Sequence, residues 1–347
     1  MSLVSVIVPT VNRAHCVARA IDSACGQTHR DLDVVVVDDG SSDGTADLVC
    51  SRYASDTRVR YIRQENQGVA AARNTGLRAA RGAFIALLDS DDVWRPWKLE
   101  LQLACLARHP RVGMVWSDME AIDPAGQVTH PRFLRTMYSC WRHYPDPGVI
   151  FGGADDLARI APMLAAEVGA GRLYTGEAFS PMIRGNLVHT STVLLRRDRA
   201  DQVGFFNEQL KLAGEDFDFH LRTCHAGPVG FLDLVTIQYQ VGMEDRLTRP
   251  EHSLALATNF LRTIEPFIAR HRADIHLPNA AVHAVLAEAH QWLAETQFSR
   301  GGMRDARYHF AVSLRHHPAQ ARAWMLMLAS FLPAPWITAL RLARAQS

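Results

Sequence analysis

The sequence predicts an α/β fold in which a mostly parallel central sheet is flanked by helices and followed by an α-helical C-terminal region. Three observations carry this. Short β-branched runs recur through the first 116 residues, at 4–8, 32–37, 59–62, 83–88 and 112–116. Between them lie stretches with apolar residues at helical spacing, such as Val17, Ala20, Ile21 and Ala24, or Leu99, Leu103 and Leu106. From about Pro250 onward the chain is rich in Ala and Leu and helical in pattern throughout. Strands alternating with helices mark βαβ units, which place the loops after the strands along one edge, where open α/β sheets bind ligands.

The 347 residues, 48% hydrophobic and 21% charged, are enough to bury a sizeable core. Lys plus Arg number 37 and Asp plus Glu 36, a net charge of +1, which gives no general electrostatic reason to bind nucleic acid. Six scattered cysteines without a C-x-x-C pair argue against a zinc ribbon or a disulfide framework and for free thiols in a reducing cytoplasm. The apolar start is short, lacks preceding basic residues and runs into Pro9, which does not read as a secretory signal.

Taken in order, each of the early strands delivers polar residues to that edge. The first is followed by Pro9-Thr10-Val11-Asn12-Arg13 and the second by Asp38-Asp39-Gly40-Ser41-Ser42-Asp43-Gly44-Thr45. Turn geometry, with Ser42 or Asp43 capping the next helix, explains Gly40 to Asp43 but not the two aspartates before them. A carboxylate there can accept from a nucleobase N–H, such as N3 of uracil. The segment Gly68-Val69-Ala70-Ala71-Ala72-Arg73-Asn74 reads as a small-residue helix packed on the sheet. Its single charge, Arg73, is either a snorkelling surface group or a ligand contact.

The fourth strand ends in Asp89-Ser90-Asp91-Asp92, three carboxylates within four positions. Their mutual repulsion calls for a positive partner, and an all-oxygen site suits Mg2+ or Mn2+ rather than zinc. Asp92 is also expected to cap a helix starting near Pro96.

From 131 to 183 the periodicity is poor and reads as an irregular insertion with short helices, whose aromatics Tyr138, Trp141, Tyr144 and Phe151 are expected to be exposed. Extended runs return at 192–196 and 229–239, with a helix beginning near Glu215 between them. His189, just before the first of these runs, is either a site residue or an ordinary polar strand residue. The expected division is 1–245 and 246–347. In the second part, Gly301-Gly302 separates two helical stretches that resemble one tetratricopeptide-type pair. The uncharged run 323–340, interrupted by Pro333 and Pro335, reads either as a core-packed terminal helix pair or as an interfacial membrane segment anchored by Trp324, Trp336, Arg341 and Arg344.

Over roughly residues 3–240 these clusters, in this order, resemble the family-2 inverting glycosyltransferases of the nucleotide-sugar-binding GT-A fold. The pieces are Val4 to Thr10 with Asn12-Arg13, then Asp38-Asp39-Gly40-Ser41, then Ala72-Arg73-Asn74. Asp89-Ser90-Asp91-Asp92 follows with Trp94, Pro96, Lys98, Leu99 and Glu100, and Gly214-Glu215-Asp216 comes last. The resemblance implies that Pro9, Thr10, Asn12, Asp39, Arg73, Asp89 and Ser90 line the nucleotide-sugar site, with Asp39 on the base and Asp89 toward the ribose or sugar. It implies Asp91 as ligand of a Mn2+ or Mg2+ bridging the diphosphate and Asp216 as catalytic base, with Glu215 and His189 secondary or on the acceptor side. Val11 departs from the pattern, since an aromatic residue is common there.

The implied partners are a UDP-linked sugar and a glycan, lipid-linked or protein acceptor, the acceptor being expected against the 131–183 insertion with its aromatics stacking on sugar rings. The implied location is the cytoplasm, with peripheral membrane contact through 323–347. A dehydrogenase is disfavoured because no G-x-G-x-x-G follows the first strand. A processive synthase is disfavoured because no run convincingly spans a membrane. The competing reading is a non-catalytic nucleotide-binding or scaffolding protein acting through its helical C-terminal region.

Overall fold

The structure, a computed structural model, describes residues 2–242 and 250–332. These form two compact units, one of residues up to 211 with 215–242, the other of 212–214 with 250–332.

The first unit is built on eleven strands: β1 (Val4–Thr10), β2 (Leu32–Asp38), β3 (Val59–Arg63), β4 (Phe84–Leu87), β5 (Val93–Trp94), β6 (Met114–Ile122), β7 (Val128–His130), β8 (Gly153–Asp156), β9 (Arg172–Gly176), β10 (Leu194–Arg196) and β11 (Val229–Gln240). Their order is β3-β2-β1-β4-β10-β6-β11-β9-β8, with β5 on β11 and β7 on β6. Parallel pairing joins β3, β2, β1 and β4, and again β6 and β11; β10 and β9 are the reversed members of that path. Residues 4–10 and 32–38 are buried without interruption, which is why they read as continuous apolar runs rather than alternating ones. Because β2 and β4 flank β1 on opposite sides, the strand order reverses beside β1. The crevice at such a reversal lies outside the carboxyl ends of the strands.

Helix Val69–Ala79 packs on β1 through its small residues. A Cβ added at Gly76 would sit 2.3 Å from Cγ2 of Ile7, a stiff β-branched side chain that is itself fully buried. Gly76→Ala should therefore lower stability by about 1–3 kcal/mol from overpacking. That exceeds the roughly 1 kcal/mol Ala gains in helix propensity, and urea denaturation would measure the balance.

Two expectations are corrected. The stretch 131–183 supplies strands as well as short helices: β9 extends the sheet antiparallel to β11, and β8 follows antiparallel to β9. Strand β8 pairs only with β9 and so runs in the direction of β11. The pair escapes sequence reading because the four residues Gly153 to Asp156 are poor strand formers that owe their conformation to the neighbouring strand. The aromatics there are not exposed sugar platforms. Trp141, Tyr144 and Phe151 are buried, and Trp141 and Phe151 pack around Phe231 and Trp116 with ring centroids 4.8–5.8 Å apart.

In the second unit, helix Ser253–Arg270 is followed by Asn279–Arg300, Met303–His316 and Ala321–Ala329. Gly301, at φ 92°, ends one helix in the left-handed conformation. Phe298, Ala306, Phe310, Leu314, Ala323 and Leu326 form the core that joins the last three. Of the segment 323–347, residues beyond 332, including Trp336, Arg341 and Arg344, lie outside the described residues. Among the described residues no helix is long and apolar enough to cross a membrane.

Candidate active site

The loops after β1, β2 and β4 leave the sheet at one edge and are bonded to one another. Asn12 adopts φ 52°, a left-handed conformation that Asn tolerates better than most side chains. From there its Oδ1 accepts from the N–H of Ser42 (2.8 Å) and Asp43 (3.3 Å), while its own N–H donates to Ser41 Oγ at 2.9 Å. Asp43 Oδ1 accepts from the N–H of Thr45, the first residue of the next helix, at 2.9 Å. Asn12 thus ties the first loop to the second.

The two aspartates of the second loop divide their tasks. Asp38 is consumed by the fold, accepting from Ser41 N–H (2.7 Å) and the Tyr61 hydroxyl (2.5 Å). Asp39 accepts on Oδ1 from Gln64 and from Gln67 N–H, and on Oδ2 from Gly68 N–H, all at 2.8–2.9 Å. A carboxylate offers about four acceptor positions, so Oδ2 retains one for a ligand.

Arg73 is not a surface residue: it is 4% exposed, on the helix behind these loops. Its Nη2–H donates to Asp89 Oδ1 at 2.8 Å and its Nη1–H to Glu215 Oε1 at 2.6 Å. One guanidinium thereby joins the acidic loop after β4 to the start of helix Glu215–His225, 142 residues away along the chain. Burial works against the Asp89 carboxylate, but Arg73, His189 and Arg13 outweigh it and hold its pKa below the ordinary range. Glu215 moves the other way, up to about 7, because burial and neighbouring Asp216 outweigh Arg73.

The acidic loop is anchored from behind. Asp89 N–H donates to Ser191 Oγ (3.0 Å), and Trp94 Nε1–H donates to the Ser191 carbonyl (2.8 Å). Lys98, buried and neutral-leaning, places its Nζ 4.2 Å from the Trp94 ring centroid and donates to Gln102. Ser90 is buried. Asp92 does not cap a helix. The short strand β5 intervenes before helix Lys98–Arg108, and Asp92 Oδ2 instead pairs with His189 Nε2 at 3.1 Å. Asp91, 3.9 Å from Arg13, is pushed up to about 6 by burial and by Asp92 and Asp89. Ligand atoms of Asp89, Asp92 and His189 lie within 4.8 Å of one another.

The structure brings nearly all the sequence-selected residues to this edge. Asp216, half-buried in the first turn of its helix, accepts from Phe217 N–H at 2.8 Å. Its charge is felt at Arg73, His189 and Glu215, so it shares the cleft with the acidic loop. Pro9 differs in kind, being a buried strand residue paired with Val37.

Two residues were missed by sequence reading as members of the site, Ser191 and His220. Tyr138, expected as an exposed platform, instead sets its hydroxyl 3.4 Å from His189 Nδ1. Ser191 holds the Asp89 loop. His220 faces Thr190 Oγ1 through Nε2 at 3.3 Å and is pushed down to about 3 by burial, Arg73 and His189. The i,i+4 spacing of Asp216 and His220 places both on one helical face and could have revealed the last.

Five buried polar atoms around this cleft have no hydrogen-bond partner among the described residues: Thr10 Oγ1, Arg73 Nε, Asp92 Oδ1, Glu215 Oε2 and His220 Nδ1. Orphans of this kind are rare in folded proteins, and here they gather at one strand-end crevice. Residues 5–152 match the family model of glycosyl transferase family 2. They are a family 2 glycosyltransferase domain. The matched segment ends before Glu215 and Asp216, and the fold brings these two to it within the first unit. A chondroitin synthase of Escherichia coli is 36% identical over 137 residues, 40% of this chain and 20% of that protein. The UDP-Glc:alpha-D-GlcNAc-diphosphoundecaprenol beta-1,3-glucosyltransferase WfgD of E. coli is 38% identical over 122 residues, 35% of this chain and 47% of that protein. The chain thus spans less than half the length of these relatives. The solved structure of S. aureus TarS 1–349 superposes with a TM-score of 0.61 at 17% identity, covering 100% of this chain and 92% of that one, a likeness of fold.

Proposed function

We propose that the protein is an inverting glycosyltransferase that moves a sugar from a nucleotide sugar, UDP-linked, to an acceptor hydroxyl in the assembly of a cell-surface polysaccharide or glycolipid. The observation that carries this reading is Arg73, whose two bonds hold the acidic loop and the Glu215-Asp216 pair in one cleft. TarS has been solved in complex with UDP-GlcNAc, and WfgD is named for a UDP-glucose donor; both support the choice of nucleotide.

In this reading Thr10 Oγ1 and the spare lone pair of Asp39 Oδ2 meet the nucleoside, with Asn12 and Ser90 shaping the wall around it. Asp89, oriented by Arg73, meets the ribose or sugar. The acceptor hydroxyl attacks the anomeric carbon on the face opposite the nucleotide. The new C–O bond forms as the bond to the diphosphate breaks, the electron pair leaves with the diphosphate, and the hydroxyl proton passes to Asp216. One carboxylate suffices for a single displacement, whereas a retaining glycosidase needs two flanking the bond.

A divalent cation, Mn2+ or Mg2+, fits the acidic loop. Its oxygen-rich donors, the raised pKa of Asp91 and the orphaned Asp92 Oδ1 all call for a positive charge there. Asp91 would hold the cation, with Asp92 Oδ1 available beside it. When bound, the cation supplies charge stabilisation to a departing diphosphate.

The direct test is a panel of nucleotide sugars with Mn2+, read by thermal unfolding. A UDP-linked sugar should raise Tm, since a ligand of the folded state alone stabilises it, and an acceptor should release UDP; a panel without any shift overturns the reading. Asp91→Asn should weaken cation-dependent UDP binding by tenfold or more, on the order of the loss of one charged ligand. The sign of the pH effect follows from the raised pKa. Below about 6 the Asp91 carboxyl keeps its proton, so a cation must displace it. Cation-dependent UDP binding should fall as pH drops through that value, and calorimetric titration at several pH values would measure it.

A further inference from the structure

Helices Asn279–Arg300 and Met303–His316 carry four histidines that meet across the hairpin. Nδ1 of His290 lies 2.9 Å from Nδ1 of His309, and Nδ1 of His283 lies 2.9 Å from Nδ1 of His316. The partners are seven residues apart on each helix, so the two pairs sit at two levels of the hairpin, about 10 Å apart along its axis. The rings form one ladder, with centroids 5.1 Å apart for His309 and His290, 6.2 Å for His290 and His316, and 5.2 Å for His316 and His283. None of these groups takes part in the sugar-transfer chemistry.

The inner pair is the more informative. His290 is 2% exposed, and its Nε2 has no hydrogen-bond partner among the described residues. The group facing that nitrogen is the Glu265 carboxylate, with Oε1 at 3.8 Å. Metal-bound histidines commonly have a carboxylate on the side of the nitrogen that does not ligate, and Glu265, beyond hydrogen-bond distance, lies on that side of His290.

We propose that each histidine pair is a two-nitrogen clamp for a divalent transition-metal ion of the Ni2+ or Cu2+ type, and that the bound ions staple the helical hairpin. With metal–nitrogen bonds of about 2.0–2.1 Å, nitrogens 2.9 Å apart subtend about 90° at the ion, the angle of square-planar and octahedral centres rather than the tetrahedral one. Water completes the coordination, since no third ligand atom joins either pair at close range among the described residues.

Ni2+ titration of the full chain by calorimetry, in a large excess of Mg2+ to occupy oxygen sites, tests this together with thermal unfolding. Wild-type protein should bind two more Ni2+ ions per chain than the His283→Gln/His309→Gln double variant and one more than either single variant. Its Tm should rise with Ni2+ while that of the double variant stays flat. One extra ion instead of two overturns the outer site, and equal numbers overturn both. Should the double variant fail to fold, Cu2+ bound to the wild-type protein decides. Electron paramagnetic resonance must then show two ring nitrogens on the copper, and one or none overturns the proposal.

Discussion

Asp216→Asn should lower kcat for sugar transfer by about 10²–10⁴-fold, the range for losing a positioned general base, while leaving affinity for the nucleotide sugar close to that of the wild type. The split is specific because the substitution is nearly isosteric. The bond from Phe217 N–H to Asp216 Oδ1 can be kept by the amide oxygen, so the first turn of the helix need not move. What the amide cannot do is take a proton from the acceptor hydroxyl. Donor binding by calorimetry alongside UDP release with an acceptor separates the two effects. Transfer at a tenth of the wild-type rate or better would move the base elsewhere. The pair Glu215→Gln and Asp216→Asn also discriminates within the cleft. Glu215 is spent on Arg73, so its loss should act on stability and on the placement of Asp89 before it acts on chemistry.

Arg73→Met should be the most destabilising single change at this edge, costing about 3–5 kcal/mol, the range for stranding buried partners of a removed charge. Met keeps an apolar stem of similar length but removes the guanidinium, whose Cζ lies 5.4 Å from the Phe206 ring centroid, and leaves Asp89 and Glu215 without their shared cation. The pH dependence carries the signature. Without Arg73 both carboxyl pKa values rise, that of Glu215 further above its unfolded value, so the folded state gains protons relative to the unfolded state. Such groups lose stability as pH rises through the interval between the two values and regain it as pH falls. In the wild type Glu215 already stands at about 7 despite Arg73. The deficit of the variant, measured by urea denaturation, should therefore be largest above neutrality and shrink toward the ordinary carboxylate range. A deficit independent of pH would mean that Arg73 contributes packing alone.

Most of this cleft was legible in the chain because its parts are local. The buried runs ending in Thr10, Asp38 and Leu87 declare strands by their β-branched content, and a strand that ends in several carboxylates declares a need for positive charge. Helix Glu215–His225 begins where its acidic first turn suggests. The residues that misled did so for reasons of distance. Asp92 has the residue type and position of a helix cap, yet its partner is His189, 97 positions on. Trp141 and Phe151 look like exposed platforms in a Gly- and Pro-rich stretch, yet Phe231 and Trp116 on central strands bury them. Arg73 looks like a surface cation until Glu215 arrives beside it.

The sequence by itself determined the alternation of strands and helices, the edge to which the polar loops are delivered, and the residue types able to bind a nucleotide sugar, because backbone periodicity and strand-end position are set within a few residues. Only the tertiary structure decided which of those residues are free to act. It committed Asp38 to a turn, left Asp39 one open lone pair, and set Asp216 beside the acidic loop. Across the helical hairpin it brought His290 to His309 and His283 to His316. These outcomes depend on partners tens to more than a hundred residues away, and hydrogen bonding, charge pairing and burial act through space rather than along the chain.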